Sequence, residues 1–248
     1  MEMTDYAHGV PSWVDYGAAD LAAAVRFYTE LFGWEAQDMG PDAGHYTITS
    51  KGGRMAAALS PAQHDGPPRW TTYINVDDLD DVLDKAKGAG GTVLFGPQDV
   101  MAAGRMSIVA DPTGAVIAFW QPAEHKGAQV VNEPGALAWN ELSTSDLDRA
   151  KAFYSAVLGW EWGGAPEYAE AKVAGRTICG AQPRPEAMPA AAPDGWLVYF
   201  GSADLDADTG RAAELGATVS VGPMAIPGTG RFSVLVDPQG GVFALFQG

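Results

Sequence analysis

The chain repeats itself at a constant offset of 126 residues. Phe27-Tyr28 returns as Phe153-Tyr154 (153 − 27 = 126). The same offset relates Gly33-Trp34-Glu35 to Gly159-Trp160-Glu161, Trp70 and Tyr73 to Trp196 and Tyr199, Gly96-Pro97 to Gly222-Pro223, and Asp111-Pro112 to Asp237-Pro238. A repeat this long spans a whole domain rather than one unit of a solenoid. The 248 residues therefore predict two tandem copies of one domain, 1–122 and 135–248, joined by a linker at 123–134.

Composition and charge narrow the class of partner. The chain is 47% apolar, which is enough for a packed core, and its net charge is −16. Such an acidic chain repels phosphate backbones and anionic membrane surfaces. One cysteine, Cys179, allows no intrachain disulfide, and no signal pattern or membrane-length apolar run is present. We expect a soluble, cytoplasmic protein that binds a small molecule rather than nucleic acid or a membrane.

The local patterns predict two β-α-β-β-β modules in each copy. In the first copy, the alternating segment from Ser12 to Tyr16 is typical of a strand. Asp20 is a helix N-cap candidate, and Gly33 stands where a helix-ending glycine belongs. Three strands follow the helix and complete the first module. In the second module, Asp78 is the N-cap candidate of the helix, and Thr92 to Phe95 is the strand predicted after that helix. The predicted fold class is α+β.

The offset changes for a short stretch of the second copy. Gly53-Arg54 matches Gly175-Arg176 at an offset of 122 (175 − 53), and Trp196 is back at 126. The first module of that copy is therefore four residues shorter, and the loop that follows is four residues longer. This loop, Ala181 to Gly195, is rich in proline and alanine, and we expect it to form a mobile flap over the sheet.

Several motifs in fixed order resemble those of the vicinal oxygen chelate superfamily. They are Asp20, Phe27-Tyr28 and Leu31-Phe32-Gly33-Trp34, their second-copy counterparts, and the turns Asp111-Pro112-Thr113-Gly114 and Asp237-Pro238-Gln239-Gly240. That superfamily includes glyoxalase I, bleomycin-resistance proteins and extradiol dioxygenases, and the tandem arrangement is similar to that of two-domain actinobacterial members. The resemblance implies that the paired modules of each copy curl into a half-open cup around a ligand.

The resemblance also implies where a metal ion would bind, and this chain has no ligands there. The corresponding residues are Trp13 and Trp139 on the first strand, Ala118 and Ala244 on the last strand, and a third position near Thr71 and Val198. Indole, methyl and isopropyl groups do not coordinate a divalent cation. We therefore expect no metal ion and no other cofactor.

The four histidines do not restore such a site. His8 and His125 lie in the N-terminal tail and the linker, His64 lies in a proline-bearing loop, and His45 lies on a predicted strand without a histidine counterpart in the second copy. A lone histidine is more often a structural or surface residue than a metal ligand.

Strand alternation predicts which side chains face into each cup. The ligand-binding candidates are Trp13, Thr71, Tyr73, Asn75 and Trp120 in the first copy, and Trp139, Tyr199 and Phe246 in the second. Each cup also has one carboxylate, Asp15 or Glu141, two residues after the first tryptophan. A carboxylate in an apolar cup has a raised pKa, which suits it to general acid–base chemistry or to pairing with a ligand cation. Aromatic walls suit flat or cationic ligands.

Simpler interpretations of the same residues remain open. Inward-facing tryptophan and tyrosine are most often core residues. Asp15 and Glu141 could be solvated strand residues, or could accept hydrogen bonds from the backbone or from Arg105 and Arg231.

Three functional hypotheses follow. The first is a metal-free binding protein for an aromatic or cationic natural product, similar to the drug-sequestering branch of the superfamily, which serves self-resistance or assists secondary-metabolite biosynthesis. The second is a metal-independent isomerase, cyclase or lyase that uses Asp15 or Glu141 as general acid–base. The third, least favoured, is a metal-dependent glyoxalase or dioxygenase. The expected assembly is a monomer or a homodimer.

Overall fold

A computed structural model describes residues 1–63, 66–185 and 193–248 of the chain. His64 and residues 186–192 of the predicted flap lie outside the described residues. The first copy contains β1 (Pro11–Ala18), α1 (Leu21–Phe32), β2 (Glu35–Asp38), a 3-10 turn (Pro41–Ala43), β3 (Thr47–Lys51), β4 (Arg54–Pro61), β5 (Arg69–Asn75), α2 (Leu79–Gly88), β6 (Thr92–Val100), β7 (Gly104–Ala110) and β8 (Val116–Pro122). The second contains β9 (Leu137–Thr144), α3 (Leu147–Leu158), β10 (Glu161–Ala165), β11 (Tyr168–Val173), β12 (Arg176–Pro183), β13 (Gly195–Gly201), α4 (Leu205–Glu214), β14 (Thr218–Ile226), β15 (Gly230–Val236) and β16 (Val242–Gln247).

Each copy forms one eight-stranded mixed sheet that stays open at both edges. The strand order is β2-β3-β4-β1-β5-β8-β7-β6 in the first copy, and the second copy repeats it as β10-β11-β12-β9-β13-β16-β15-β14. The first strands of the two modules, β1 and β5, pair antiparallel at the centre, and each has a parallel neighbour on its other side. The α+β prediction, with two βαβββ modules per copy, is confirmed.

Each of the four α-helices in the described residues has an aspartate as its N-cap. The Asp20 side chain accepts a hydrogen bond from the backbone N–H of Ala23 at 2.9 Å, and Asp78 caps α2 in the same way. Gly33 ends α1 in a left-handed conformation, with φ of 66°. A residue with a side chain is strained there, which explains the glycine. In the described part of the chain, no helix is long and apolar enough to cross a membrane.

The strand predicted from Thr92 to Phe95 is longer than the sequence suggested. In the structure, β6 continues to Val100, and its pairing with β7 shifts register between Phe95 and Gln98. Gly96-Pro97 lies in this bulge. Proline is tolerated because β6 is an edge strand, where a missing N–H donor costs no sheet hydrogen bond.

The two hydrophobic cores each combine residues from both copies. In one core, Phe27 and Tyr28 of α1 pack with Phe200 and Phe243 of the second copy. In the other, residues of α2 pack with Phe153 and its neighbours on α3. Between the cores, the Thr72 hydroxyl of β5 lies 2.8 Å from Asn140 Oδ1 of β9. The sheets therefore pack back to back, and strand alternation turns the opposite faces, which carry Trp13 and its neighbours, away from this interface.

A reciprocal pair of buried hydrogen bonds joins the copies. The Tyr28 hydroxyl donates to Asp237 Oδ2 at 2.7 Å, and the Tyr154 hydroxyl donates to Asp111 Oδ2 at 3.0 Å. Each tyrosine oxygen also accepts from an indole N–H, that of Trp70 at 3.0 Å or Trp196 at 3.1 Å. The repeated Phe-Tyr and Asp-Pro motifs thus meet across the interface between the copies.

A second reciprocal pair anchors the residues that follow α1 and α3. The indole N–H of Trp34 donates to the carbonyl of Gly135 at 2.7 Å, and that of Trp160 donates to the carbonyl of Gly9 at 2.8 Å. Each indole therefore fixes the chain just before the first strand of the other copy.

Removing one hydroxyl from this interface should destabilise the whole chain. We expect Tyr28→Phe and Tyr154→Phe each to lower the free energy of unfolding by about 1–3 kcal/mol, because each removes a hydrogen bond to a buried carboxylate and takes away the acceptor of an indole N–H. Urea unfolding followed by circular dichroism measures the effect. If the variants unfold at the same urea concentration as the wild type, these hydrogen bonds do not hold the copies together.

Candidate functional site

The outward face of each sheet carries a row of in-register side chains at its centre. In the first copy, Trp13 on β1 is paired with Tyr73 on β5, which is paired with Ala118 on β8. The second copy has the corresponding row Trp139, Tyr199 and Ala244. We call the concave face around the first row the first cup and the face around the second row the second cup.

In the first cup, two tyrosine hydroxyls surround the Asp15 carboxylate. Tyr73 donates to Asp15 Oδ2 at 2.8 Å, and Tyr46 lies 3.4 Å from the same oxygen. The Tyr46 oxygen in turn accepts from the indole N–H of Trp13 at 2.8 Å. Because the indole N–H can only donate, it directs the Tyr46 proton towards the carboxylate. The result is a directed chain from tryptophan through tyrosine to aspartate.

The second cup repeats this arrangement around Glu141. Tyr199 donates to Glu141 Oε1 at 3.0 Å, and Trp139 donates to the Tyr168 hydroxyl at 2.9 Å. Hydrogen bonding from Tyr168 to the carboxylate completes the counterpart of the first-cup chain. One addition is specific to this cup: the Gln182 amide donates to Glu141 Oε1 at 2.8 Å.

Burial controls the protonation of both carboxyls. It raises the pKa of Asp15 to about 6, although hydrogen bonds from Tyr73, Tyr46 and Thr71 act in the opposite direction. It also raises the pKa of Glu141, against hydrogen bonds from Tyr168, Tyr199 and Gln182. Burial further raises the pKa of the tyrosines that contact the carboxylates, so they remain proton donors at neutral pH. The Asp15 carboxyl can therefore exchange a proton near neutral pH, and the Glu141 carboxyl holds its proton more tightly than an exposed glutamate does.

The arginines considered as partners of these carboxylates have other partners. Arg105 binds Asp80 through two nitrogens, at 2.9 and 3.2 Å, and Arg231 binds Asp206 at 2.7 and 3.1 Å. The idea that Asp15 and Glu141 are solvated is also wrong, because only 8% and 7% of their surfaces are exposed.

The remaining candidates occupy different parts of the cups. Thr71 lies directly opposite Asp15 on the neighbouring strand. Asn75 lies at the end of β5, where its amide donates to the carbonyl of Tyr6 at 2.7 Å, so it holds the N-terminal segment in place. Trp120 and Phe246 occupy equivalent positions on the last strands, but only Trp120 is fully buried.

Part of the predicted linker lies against the first cup. The His125 ring packs edge-on against Trp13, with ring centroids 4.5 Å apart, and lies 5.7 Å from the ring of Trp120. Burial lowers the pKa of His125 to about 4, so the ring is neutral at physiological pH.

The side chains of the cups do not form a metal site. Within residues 1–63, 66–185 and 193–248, no three His, Cys, Asp or Glu side chains cluster in a way that could hold a metal ion. The central row offers an indole, a phenol and a methyl group, and the nearby carboxylate already accepts hydrogen bonds from tyrosines. Cys179 is buried, and burial raises the pKa of its thiol, so it does not supply a thiolate.

Family models match both halves of the chain. The model of the Glyoxalase/Bleomycin resistance protein/Dioxygenase superfamily matches residues 11–119, and the model of a Glyoxalase-like domain matches residues 137–246. The chain belongs to this superfamily. The predicted resemblance is confirmed, and both cups lie within the matched regions.

Two curated relatives match almost the full chain. CFP32 of Mycobacterium tuberculosis (strain CDC 1551 / Oshkosh), which its name describes as a candidate glyoxylase, is 42% identical over 98% of this chain and 97% of its own length. The anthracycline biosynthesis protein DnrV of Streptomyces peucetius is 36% identical over 99% of this chain and 95% of its own length.

Solved structures of superfamily members share the fold at low sequence identity. The Mn(II)-bound glyoxalase of Novosphingobium aromaticivorans aligns with a TM-score of 0.67 at 19% identity, covering 97% of this chain and 83% of the other. The 2,3-dioxygenase LapB of Pseudomonas sp. KL28 aligns with a TM-score of 0.67 at 14% identity, covering 97% and 93%. These likenesses establish the fold alone.

Four residues of the cups were missed by the sequence comparison, namely Tyr46, Tyr168, Gln182 and His125. A signal for the two tyrosines was present, because they match at the shifted offset of 122 (168 − 46) that also relates Gly53 to Gly175. Gln182 gave no such signal, since its counterpart at that offset is Ser60. His125 lies in a segment outside the repeat, where no comparison between copies applies.

Two surface depressions lie outside the cups. One, of about 310 Å³, is lined mainly by α3 and the β10–β11 hairpin, and the other, of about 250 Å³, lies between the N-terminal segment and residues 124–129. Neither contains Asp15 or Glu141. The cups, in contrast, bring together repeated aromatic and carboxyl groups, which makes them the candidate site.

The raised pKa of Asp15 implies that the free energy of unfolding depends on pH. Between about pH 4 and pH 6 the folded chain holds a proton that the unfolded chain releases, so the contribution of Asp15 to stability falls as the pH rises through this range. Asp15→Asn abolishes this titration. From pH 4 to pH 7, its free energy of unfolding should shift relative to wild type by about 2 kcal/mol in favour of the variant. Urea unfolding at several pH values measures the difference, and a difference independent of pH would contradict the assignment.

Proposed function

We propose that the protein binds a planar aromatic or cationic natural product in an aromatic cup without a metal ion. In this role it would serve self-resistance or assist secondary-metabolite biosynthesis. The observation that carries the proposal is the pairing of a buried carboxylate with aromatic side chains at the centre of each sheet. In the second cup these are Glu141, Trp139, Tyr168 and Tyr199.

The chemistry of the cup supports such a ligand. Indole and phenol rings attract flat π-systems and cations through their faces. An ionised Glu141 would pair with a ligand cation, and a protonated one would donate a hydrogen bond to a carbonyl or hydroxyl oxygen. Ala244, paired with Tyr199, carries only a methyl group at this position of the last strand.

The relatives support the same ligand class. DnrV, and the anthracycline biosynthesis protein DauV of Streptomyces sp. (strain C5), carry names that connect them with the biosynthesis of anthracyclines. Anthracyclines are flat, fused-ring compounds that bear an amino sugar, so they combine an aromatic surface with a cation. We propose that this chain takes a ligand of the same general chemistry.

A binding experiment with matched probes tests the proposal. The cation acridine orange should quench tryptophan fluorescence saturably, and Trp139→Ala should weaken its binding about tenfold because the indole face is lost. Glu141→Gln should weaken acridine orange more than the neutral analogue acridone. Trp162→Ala, which alters a tryptophan outside the cups, serves as the control.

The metal-free part of the proposal is tested with the same samples. Protein purified without a histidine tag should contain less than stoichiometric Zn, Mn, Fe or Ni after dialysis, and EDTA should not change probe binding. The proposal fails if none of the probes, including an anthracycline, binds more tightly than millimolar, or if binding requires a retained metal ion.

A metal-independent enzyme is the second candidate, because the pKa of Asp15 is raised to about 6 beside tyrosine donors. A general acid–base role would make Asp15→Asn or Glu141→Gln abolish turnover of an anthracycline precursor while its binding persists. Mass spectrometry of the incubated precursor measures turnover. Conversion by both variants at the wild-type rate would rule out this role for the two carboxyls.

A further inference from the structure

The first cup is crossed by residues 123–128, which we call the strap. The strap begins directly after β8 and continues the chain over the face that carries Trp13 and Trp120. The His125 side chain inserts between these two indoles, at ring distances of 4.5 and 5.7 Å. The imidazole ring of His125 thus fills the space between two aromatic side chains of the cup, where a flat ligand ring would otherwise pack.

Backbone hydrogen bonds fix the strap on both sides of His125. The His125 N–H donates to the carbonyl of Ala103, and its carbonyl accepts from the indole N–H of Trp120 at 2.9 Å. Further along, the Ala128 N–H donates to the carbonyl of Ser12 at 2.8 Å. The Tyr6 hydroxyl donates to the Ala128 carbonyl at 2.6 Å, so the N-terminal segment covers the end of the strap.

The strap passes so close to β1 that one position requires glycine. Gly127 has φ of 118°, and a Cβ atom at this residue would lie 2.4 Å from the carbonyl oxygen of Ser12. A side chain is excluded by this contact as well as by the backbone conformation. Gly127 therefore allows the strap to lie flat against the strand.

The two cups differ in the exposure of the rings that the strap contacts in the first cup. Trp13 and Trp120 are only 3% and 6% exposed, and Ala128 of the strap is 1% exposed. Their counterparts Trp139 and Phe246 remain half-buried and belong to neither core. Within the described residues, no ring packs against Trp139.

We propose that the strap is an internal occupant of the first cup, with His125 in the ring position that a ligand takes in the second cup. This inference rests on the proposed function for its second half. It assigns ligand binding to the cup around Glu141 and predicts one bound ligand per chain, although the sequence contains two copies of the cup.

The occupancy of the first cup is tested without any ligand. In a proton NMR spectrum at pH 7, ring currents of the neighbouring indoles should displace the His125 ring-proton signals from those of His8 and His45. Trp13→Ala and Trp120→Ala should each reduce this shift, and Trp139→Ala should leave it unchanged. An unshifted His125 signal would overturn the strap assignment, whether or not the protein binds a ligand.

The stoichiometry of a probe tests the assignment of the working cup. Equilibrium dialysis with acridine orange should give one bound probe per wild-type chain, and none at the same affinity for Trp139→Ala. His125→Ala removes the occupying ring, and Gly127→Ala lifts the strap by its clash with Ser12. Both variants should bind two probes per chain. Lys126→Ala, an exposed change in the same strap, should still bind one.

Each result of the dialysis decides one part of the account. Two probes per wild-type chain would show that the first cup is open and would overturn the proposal. One probe per chain in both His125→Ala and Gly127→Ala would show that the strap does not stand in for a ligand. No binding by the wild type would refute the proposed function alone, and the NMR shift would still decide the occupancy of the first cup.

Discussion

The buried hydrogen bonds from Tyr28 to Asp237 and from Tyr154 to Asp111 are the interaction on which the rest of the structure depends. Each joins a helix of one copy to a turn of the other, inside a core built from both copies. An unpaired carboxylate in such a core is costly, so the two bonds fix how the copies face each other. The sheets must then pack back to back, and the concave faces remain for binding.

This interface explains why the most recognisable motifs of the chain are not its candidate site residues. The Phe-Tyr, Gly-Trp and Asp-Pro motifs supply the helix, the indole anchors and the turn that join the copies. The candidate site residues lie instead on the outward strand faces. There, each copy has a tryptophan, two tyrosines and a carboxylate in the same geometry. The superfamily fold is thus retained, with aromatic residues at the centre of each cup.

The sequence predicted the fold well where local rules act. The caps at Asp20 and Asp78 follow from side-chain hydrogen bonding to free N–H groups, and the inward faces follow from strand alternation. It failed where the outcome depends on contacts between distant segments. The partners of Asp15 turned out to be tyrosines, because Arg105 is held by Asp80. The length of β6 and the position of His125 likewise depend on strand pairing and on the path of the linker, which no repeat pattern records.

We propose that the chain has two outward cups, of which one is filled by the chain itself and one is free for a flat, cationic ligand. A crystal structure of the protein soaked with an anthracycline tests this most directly. The account predicts ring density against Trp139 and Tyr199, with the ligand cation near Glu141, and the His125 ring still between Trp13 and Trp120. Density for the ligand in the first cup, or in a depression away from both cups, would contradict it.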